Sequence, residues 1–149
     1  MERPPVLDIG YLLLTANRLL GARASARVRE LGLTPQQAVA LLAIDSSSGR
    51  QSTPGRIAEF MAADSPTVSG VINRLEKRGL VTASPNPADK RSRLITLTPK
   101  ADALLPAIRE SLREASAWAE SLMPAEELHR LTHLLERFVE LLGVDQSSL

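Results

Sequence analysis

Apolar and polar positions alternate most regularly in the middle of the chain, over residues 65–79. Four apolar residues recur there at steps of three and four, which places them on one face of a helix: Val68, Val71, Ile72 and Leu75. Ser65 is predicted to cap this helix, Pro66 to be its first residue and Gly79 to end it. The opposite face is polar and partly cationic with small side chains, which favours entry into a DNA groove.

A shorter helix is predicted just before it, with Thr53 as the N-cap and Pro54 as the first helical residue. Its buried face is predicted to consist of Ile57, Phe60 and Met61. Residues 62–64 then form the turn between the two helices. This arrangement is typical of a helix-turn-helix.

Two strand-like segments follow, at residues 80–83 and 93–98. The segment between them, 84–92, is rich in Pro, Asn and Ser, so the pattern predicts a hairpin with a long tip. The alternation of the second strand is too irregular to fix the register of the pair. A hairpin directly after a helix-turn-helix indicates a winged helix-turn-helix.

The N-terminal part of the chain is predicted to form two helices. Residues 6–31 are rich in apolar side chains, among them Leu7, Tyr11, Leu14, Leu19 and Val28. The second helix covers residues 35–44, with Thr34 as its cap and Pro35 as its first residue. Its inward-facing residues are predicted to be Val39, Leu42 and Ile44. Residues 45–49 are predicted to be a loop.

Two further helices are predicted after Pro99. The first has an apolar seam at Leu105, Ile108, Leu112, Ala115, Ala119 and Leu122, and Pro106 should bend its first turns. The second begins at Pro124 and carries a seam at Leu128, Leu131, Leu135, Phe138 and Leu142. Such long seams would stay partly in water in an isolated domain, so we expect them to pair with a second copy of the chain.

The composition is that of one small domain with a core, at 149 residues and 44% apolar content. The absence of cysteine excludes disulfides, thiolate metal sites and thiol-based sensing. The sequence has neither an apolar run long enough to span a membrane nor a secretion signal, so we expect a cytoplasmic protein.

The net charge of +1 conceals a strong asymmetry along the chain. Residues 1–49 carry a net charge of +1, residues 50–100 carry +5 and residues 101–149 carry −5. Positive charge is therefore concentrated on the winged segment, as a phosphate-binding surface requires, and acidic charge on the C-terminal helices.

The sequence resembles the MarR (multiple antibiotic resistance regulator) family of transcription factors over most of its length. The resemblance rests on the combined spacing of four segments, Leu33-Thr34-Pro35-Gln36-Gln37, Leu75-Glu76-Lys77-Arg78-Gly79-Leu80-Val81, Asp89-Lys90-Arg91-Ser92 and Leu97-Thr98-Pro99-Lys100. Two positions depart from the family pattern. Ala83 stands where many members have an arginine, and Ala101 where many have a glycine.

The resemblance implies a mainly α fold with a small β-hairpin wing. It implies one domain over 1–149, with a DNA-binding winged part at 34–98 and helical dimerisation parts at 1–31 and 99–145. The expected function is that of a homodimeric regulator, and specifically a repressor, that binds double-stranded DNA at a pseudo-palindromic operator. Neither an enzymatic activity nor a cofactor is expected.

The predicted DNA contacts lie on the second helix of the helix-turn-helix and on the wing. We expect Arg74 to bond guanine, Asn73 to bond adenine and Arg91 to enter the minor groove. For Asn73, plain surface exposure is an equally good interpretation. Phosphate or base contacts are predicted for Ser65, Thr67 and Ser69, phosphate contacts for Lys90 and Arg93, and a DNA contact for Lys77. By resemblance, Asp89 would hold a wing arginine through a charged hydrogen bond.

The family resemblance also implies a small phenolic or anionic effector, bound between the dimerisation helices and the winged part. Tyr11, Arg18 and Phe60 are candidate residues for bordering such a cleft. The sequence identifies neither the effector nor the operator.

Other interpretations remain open for a few features. His129 and His133 lie one helical turn apart and could supply half of a zinc site, although exposed helix histidines explain them more simply. Trp118 is expected in the core or an interface. A winged helix that contacts only protein is the main alternative function, because a fold does not by itself dictate function.

Overall fold

The computed structural model describes residues 8–145, so Leu7 and the rest of residues 1–7 of the predicted N-terminal segment lie outside the described part. Seven α-helices and three strands are described there, with a short 3₁₀ turn at Ser48–Arg50. The helices are α1 (Ile9–Glu30), α2 (Pro35–Asp45), α3 (Pro54–Met61), α4 (Ser65–Lys77), α5 (Pro99–Asp102), α6 (Leu105–Glu120) and α7 (Ala125–Asp145). The strands are β1 (Gln51–Ser52), β2 (Val81–Pro85) and β3 (Arg93–Leu97).

Helix α2 begins as predicted. The Thr34 hydroxyl accepts a hydrogen bond from the backbone N–H of Gln37 (3.2 Å), and the Gln37 side chain accepts one from the backbone N–H of Thr34 (2.9 Å). This reciprocal pair satisfies two backbone donors that the first turn of a helix leaves free. Ile44 is fully buried as expected, but Val39 and Leu42 are only half-buried, and both line a cavity between α2 and the helices α1, α6 and α7.

The helix-turn-helix is built on one apolar core. The four predicted apolar residues of α4 are fully buried, as is Ile57 of α3. The prediction that Phe60 is also buried is wrong, since 56% of its surface is exposed. Met61 packs against the core as predicted, together with Ala58, and Phe60 lies beside the serines of residues 46–48.

The wing is the predicted hairpin, to which a third strand is added. Strands β2 and β3 are antiparallel, with Val81 opposite Leu97 and Pro85 opposite Arg93. The two-residue strand β1, which the sequence pattern did not reveal, pairs with the other edge of β3 and gives the order β1-β3-β2. Ile95, at the centre of β3, is fully buried. The base of the wing is therefore anchored in the core.

The C-terminal region differs from the predicted pattern at its start. A single helix bent at Pro106 was expected, but α5 ends at Asp102 and a separate helix begins at Leu105. Pro106 lies in the first turn of α6, where its missing N–H costs no hydrogen bond. Large apolar side chains remain exposed on α1 and α7, namely Ile9, Tyr11, Leu12, Leu14, Leu19, Leu20, Leu131, Leu134, Val139, Leu141 and Leu142.

A network of ion pairs joins the winged part to the C-terminal helices. Asp45, at the end of α2, pairs with Arg50 (3.0 Å) and with Arg109 of α6. Arg50 also pairs with Asp102 of α5 (2.5 Å) and has a positive φ of 56°. The Asp45 side chain is only 12% exposed, so it is largely enclosed between its two partners. These pairs fix the loop before β1 relative to α6.

We expect Ile72→Ala to lower the free energy of unfolding by about 2–5 kcal/mol, because it removes a fully buried side chain and leaves a cavity. Urea denaturation followed by circular dichroism measures this change. Ser69→Ala, on the exposed face of the same helix, should change stability by less than about 0.5 kcal/mol. Equal losses in the two variants would contradict the described orientation of α4.

Candidate nucleic-acid interface

Helix α4 is capped by Asp64 and not, as predicted, by Ser65. Asp64 has an extended backbone, and its Oδ1 accepts a hydrogen bond from the backbone N–H of Thr67 (2.8 Å). Ser65 is instead the first helical residue, and its side chain is exposed. The hydroxyl of Ser65 is therefore placed at the positive end of the helix without serving as its cap.

The exposed face of α4 carries the predicted contact residues. Thr67 is half-buried, and the others are exposed: Ser65, Ser69, Asn73, Arg74 and Lys77. Their positions follow from the buried stripe, which turns the rest of the helix toward solvent. The structure thus presents a hydroxyl-rich N-terminal half and a cationic C-terminal half on one surface.

The C-terminal end of α4 is fixed by two residues whose role the sequence analysis missed. The Arg78 guanidinium donates hydrogen bonds to the carbonyl oxygen of Gly32 (2.5 Å) and to Oε1 of Gln37 (3.4 Å). The Lys100 ammonium donates to the carbonyl oxygen of Arg78 (2.8 Å). Periodicity gives no signal for such contacts, because both side chains reach across the fold to backbone oxygens. The expected stop at Gly79 is confirmed by its positive φ of 68°.

The wing tip is shaped by side chains that bond to the backbone. Asp89 Oδ1 accepts a hydrogen bond from the backbone N–H of Arg91 (2.9 Å), and Asn86 Oδ1 accepts one from that of Ala88 (3.0 Å). Asp89 is thus bonded to the backbone N–H of Arg91 and not to the Arg91 guanidinium. Lys90 and Arg91 are exposed at the tip. The loop therefore presents two cations on an ordered turn.

One contact links the base of the wing to the end of α4. The Arg93 guanidinium lies 3.9 Å from a carboxylate oxygen of Glu76, and both side chains are about half exposed. Arg93 is accordingly placed beside the cationic half of α4. At such exposure the pair contributes little to stability, so it holds Arg93 only weakly.

A cavity of about 460 Å³ lies between α1, α2, α6 and α7. The three residues predicted to border an effector cleft do not meet there. Tyr11 and Arg18 are exposed on α1 and are not among the residues that line this cavity. Phe60 lines a separate pocket of about 310 Å³ with Ser46, Ser47 and Ser48.

The remaining candidate features lie on the terminal helices. His129 and His133 are both exposed on α7. Within residues 8–145, no group of three or more His, Cys, Asp or Glu residues is arranged to hold a metal ion. Trp118 is half-buried on α6, with the Arg23 guanidinium 4.7 Å from the centre of its ring. Over the same described range, none of the helices has the length and apolar character that crossing a bilayer requires.

Comparison with known proteins agrees with this architecture. The sequence model of the MarR family matches residues 31–92, which include α2, the helix-turn-helix and the wing tip. A solved structure of Bordetella bronchiseptica BpsR, whose DNA binding is regulated by 6-hydroxynicotinic acid, superposes with a TM-score of 0.80 at 27% identity. That superposition covers 93% of this chain and 98% of BpsR. The chain belongs to the MarR family.

Two other relatives support the assignment of this MarR-family protein. The HTH-type transcriptional repressor NicR of Pseudomonas putida is 29% identical over 133 residues, covering 89% of this chain and 83% of NicR. A probable transcriptional regulator from Pseudomonas aeruginosa is 31% identical, with a TM-score of 0.75 and coverage of 89% and 97% of the two chains. The MarR-family chain is a DNA-binding transcriptional regulator.

The stability of this MarR-family protein should depend on the ionisation of Asp64. The Asp64 carboxyl accepts hydrogen bonds from Thr67, and these hold its pKa below the ordinary value. The Thr67 side chain makes the larger contribution and the Thr67 backbone N–H the smaller one. Because the folded-state pKa is lowered, the stabilisation is present above the ordinary pKa of about 3.9 and is lost as pH falls through the folded-state value.

Thermal unfolding at pH 6 and pH 3 tests this dependence. Asparagine caps a helix without titrating, so the stability advantage of the wild type over Asp64→Asn should shrink on acidification. Glu59→Gln, which removes an exposed carboxylate from α3, is the matched control and should not reproduce the effect. An advantage that stays constant between the two pH values would contradict the role of the charged cap.

Proposed function

We propose that the protein is a cytoplasmic, homodimeric repressor that binds a pseudo-palindromic DNA operator and is released by a small molecule. The observation that carries the proposal is the exposed polar face of α4 beside a basic wing, in a segment of net charge +5. The proposed role is regulatory and not catalytic, as it is for the named relatives. Repression is proposed because the relative NicR is a transcriptional repressor.

Helix α4 is proposed to read bases in the major groove. Arg74 would donate two hydrogen bonds to guanine, and Asn73 would donate and accept with adenine. Lys77, farther along the same face, would neutralise a phosphate. The hydroxyls of the N-terminal half, on Ser65, Thr67 and Ser69, suit phosphates or base edges near the positive end of the helix.

The wing is proposed to contact the DNA beside α4. Arg91 would enter the minor groove, where the negative potential attracts arginine. Lys90 and Arg93 would bind phosphates on either side. Asp89 supports this arrangement because its hydrogen bond to the Arg91 backbone shapes the tip.

Homodimer formation is proposed from the exposed apolar side chains of α1 and α7. A surface of this kind is uncommon in a soluble monomer and is covered in symmetric dimers. Two α4 helices would then enter successive major grooves, with half-sites about 10 bp apart. The net charge of −5 on residues 101–149 would keep the C-terminal helices away from the DNA.

Effector release is proposed from the cavity between α1, α2, α6 and α7. Its volume of about 460 Å³ suits a small molecule, and its walls include both terminal helices and a helix of the winged part. A ligand that binds one arrangement of these helices better than the other shifts the population between them. The regulation of BpsR by a small molecule supports the same proposal.

We expect DNA binding to weaken steeply with salt, because phosphate contacts release counterions. Arg91→Ala should weaken binding and reduce the salt slope by about one unit, whereas Arg74→Ala should also relax sequence preference at one base pair. Fluorescence polarisation with DNA from upstream of the protein's own gene, at several salt concentrations, measures both effects. Arg113→Ala on α6 removes the same charge outside the winged part and should leave binding unchanged.

The same titration separates the alternative function. A winged helix that contacts only protein would leave both specific and random DNA unbound at low salt. Binding that is tight, salt-sensitive and weakened by Arg113→Ala as much as by Arg91→Ala would instead indicate nonspecific attraction.

We expect Leu14→Glu combined with Leu141→Glu to dissociate the dimer, because both side chains are exposed on the terminal helices. Sedimentation velocity measures the mass, and a monomer should replace the wild-type dimer. Phe60→Glu, an equally drastic change at an exposed apolar residue of α3, should leave the dimer intact. A wild-type protein that sediments as a monomer at all concentrations would disprove the proposed assembly.

A further inference from the structure

The cavity between α1, α2, α6 and α7 has walls of unusual chemistry for a site expected to hold an anion. Most of the lining is aliphatic, with Leu20, Val28, Val39, Leu42, Ile108, Leu112 and Leu128 as its larger residues. Four neutral polar residues, Asn17, Ser25, Ser116 and Thr132, also line it. Glu120 supplies the only ionisable side chain among the described lining residues, and it is a carboxylate.

The hydroxyl groups of the lining are mostly acceptors. Ser25 Oγ donates its proton to the carbonyl oxygen of Gly21 (2.5 Å), and Thr132 Oγ1 donates to that of Leu128 (3.0 Å). A hydroxyl whose proton is used in this way retains only lone pairs for another partner. The Asn17 amide and the Ser116 hydroxyl can still donate, but with the Glu120 carboxylate and these two oxygens counted, acceptors outnumber donors in the polar part of the lining.

No positive charge is described in the lining of the cavity, and nearby Arg23 is engaged by an aromatic ring. Lysine, arginine and histidine do not occur among the described residues that line it. Arg23 of α1, three residues from the lining residue Leu20, lies over the Trp118 ring at 4.7 Å. A carboxylate ligand would therefore enter an aliphatic site next to another carboxylate, without a cationic partner among the described lining residues of this chain. Repulsion from Glu120 and partial loss of hydration would both oppose the binding of a carboxylate there.

We propose that this cavity binds an apolar molecule bearing an ammonium or another hydrogen-bond donor, and that Glu120 is its specificity-determining residue. Glu120 is the last residue of α6, is exposed and is one of the lining residues, so we assign its carboxylate to the donor group of the ligand and the aliphatic walls to the apolar part. The inference rests on the proposed effector function and differs from the phenolic or anionic effector that the family resemblance implies.

Three probes of similar shape test the ligand class: naphthylmethylamine, naphthylmethanol and naphthylacetate, substituted at the same ring position. Isothermal titration calorimetry of the full-length protein, in the absence of DNA, measures their affinities near neutral pH. The ammonium should bind about fivefold more tightly than the alcohol, and the carboxylate at least about tenfold more weakly than the alcohol. Equal or tighter binding of the carboxylate overturns the proposal.

Glu120→Gln isolates the role of the carboxylate. The variant should lose the preference for the ammonium over the alcohol while keeping its affinity for the alcohol, which depends on the aliphatic walls. Glu114→Gln makes the same change on the same helix outside the cavity lining and should retain the preference. If both variants, or neither, lose the preference, Glu120 is not the specificity determinant.

A second readout separates this inference from the proposed repressor mechanism. The tightest-binding probe is added to the protein and operator DNA in a fluorescence polarisation assay. Preferential binding of the ammonium that leaves DNA affinity unchanged supports the ligand class and removes this cavity from the release mechanism. DNA release by the carboxylate alone overturns the ligand class and leaves small-molecule release intact.

Discussion

The complete burial of one face of α4 fixes the rotation of that helix, and the DNA-facing surface follows from it. The core is close-packed around the four buried residues of α4, Val68, Val71, Ile72 and Leu75. Rotation of the helix about its axis would therefore bring polar side chains into that core. Each end is also held, by Asp64 at the start and by Arg78 at the finish. The side chains proposed to read bases thus start from a rigid support, which limits the entropy lost on binding.

Two sets of polar contacts connect this support to the rest of the chain. The pairs around Asp45 join the end of α2 to α5 and α6, and Arg78 joins the end of α4 to Gly32 between α1 and α2. Val28 and Pro35, which line the cavity, flank that same turn in sequence. The cavity and α4 therefore both adjoin the turn at Gly32, so a ligand that displaces this turn acts on a residue already bonded to α4.

The sequence was most informative where one physical rule operated alone. Hydrophobic periodicity predicted the buried face of α4, and cap chemistry predicted the starts of α2 and α3 at Thr34 and Thr53. The sequence did not distinguish between two adjacent candidates for the N-cap of α4. Asp64 and Ser65 are both good caps, and the backbone conformation decides between them. Phe60 was misplaced because a small helix offers several apolar positions, and only tertiary packing selects among them. The cavity lining, assembled from four helices, left no signal in local spacing.

Strand β1 has a consequence for how this regulator can change over evolutionary time. It pairs with β3 and attaches the segment before α3 to the root of the wing, with Ser52 opposite Ile95. The root is thereby constrained, whereas residues 86–92 at the tip are bonded chiefly to one another. Substitutions or insertions in the tip can accumulate without disturbing the core. Descendants of one ancestral gene could in this way acquire new operator preferences while α4 stayed the same.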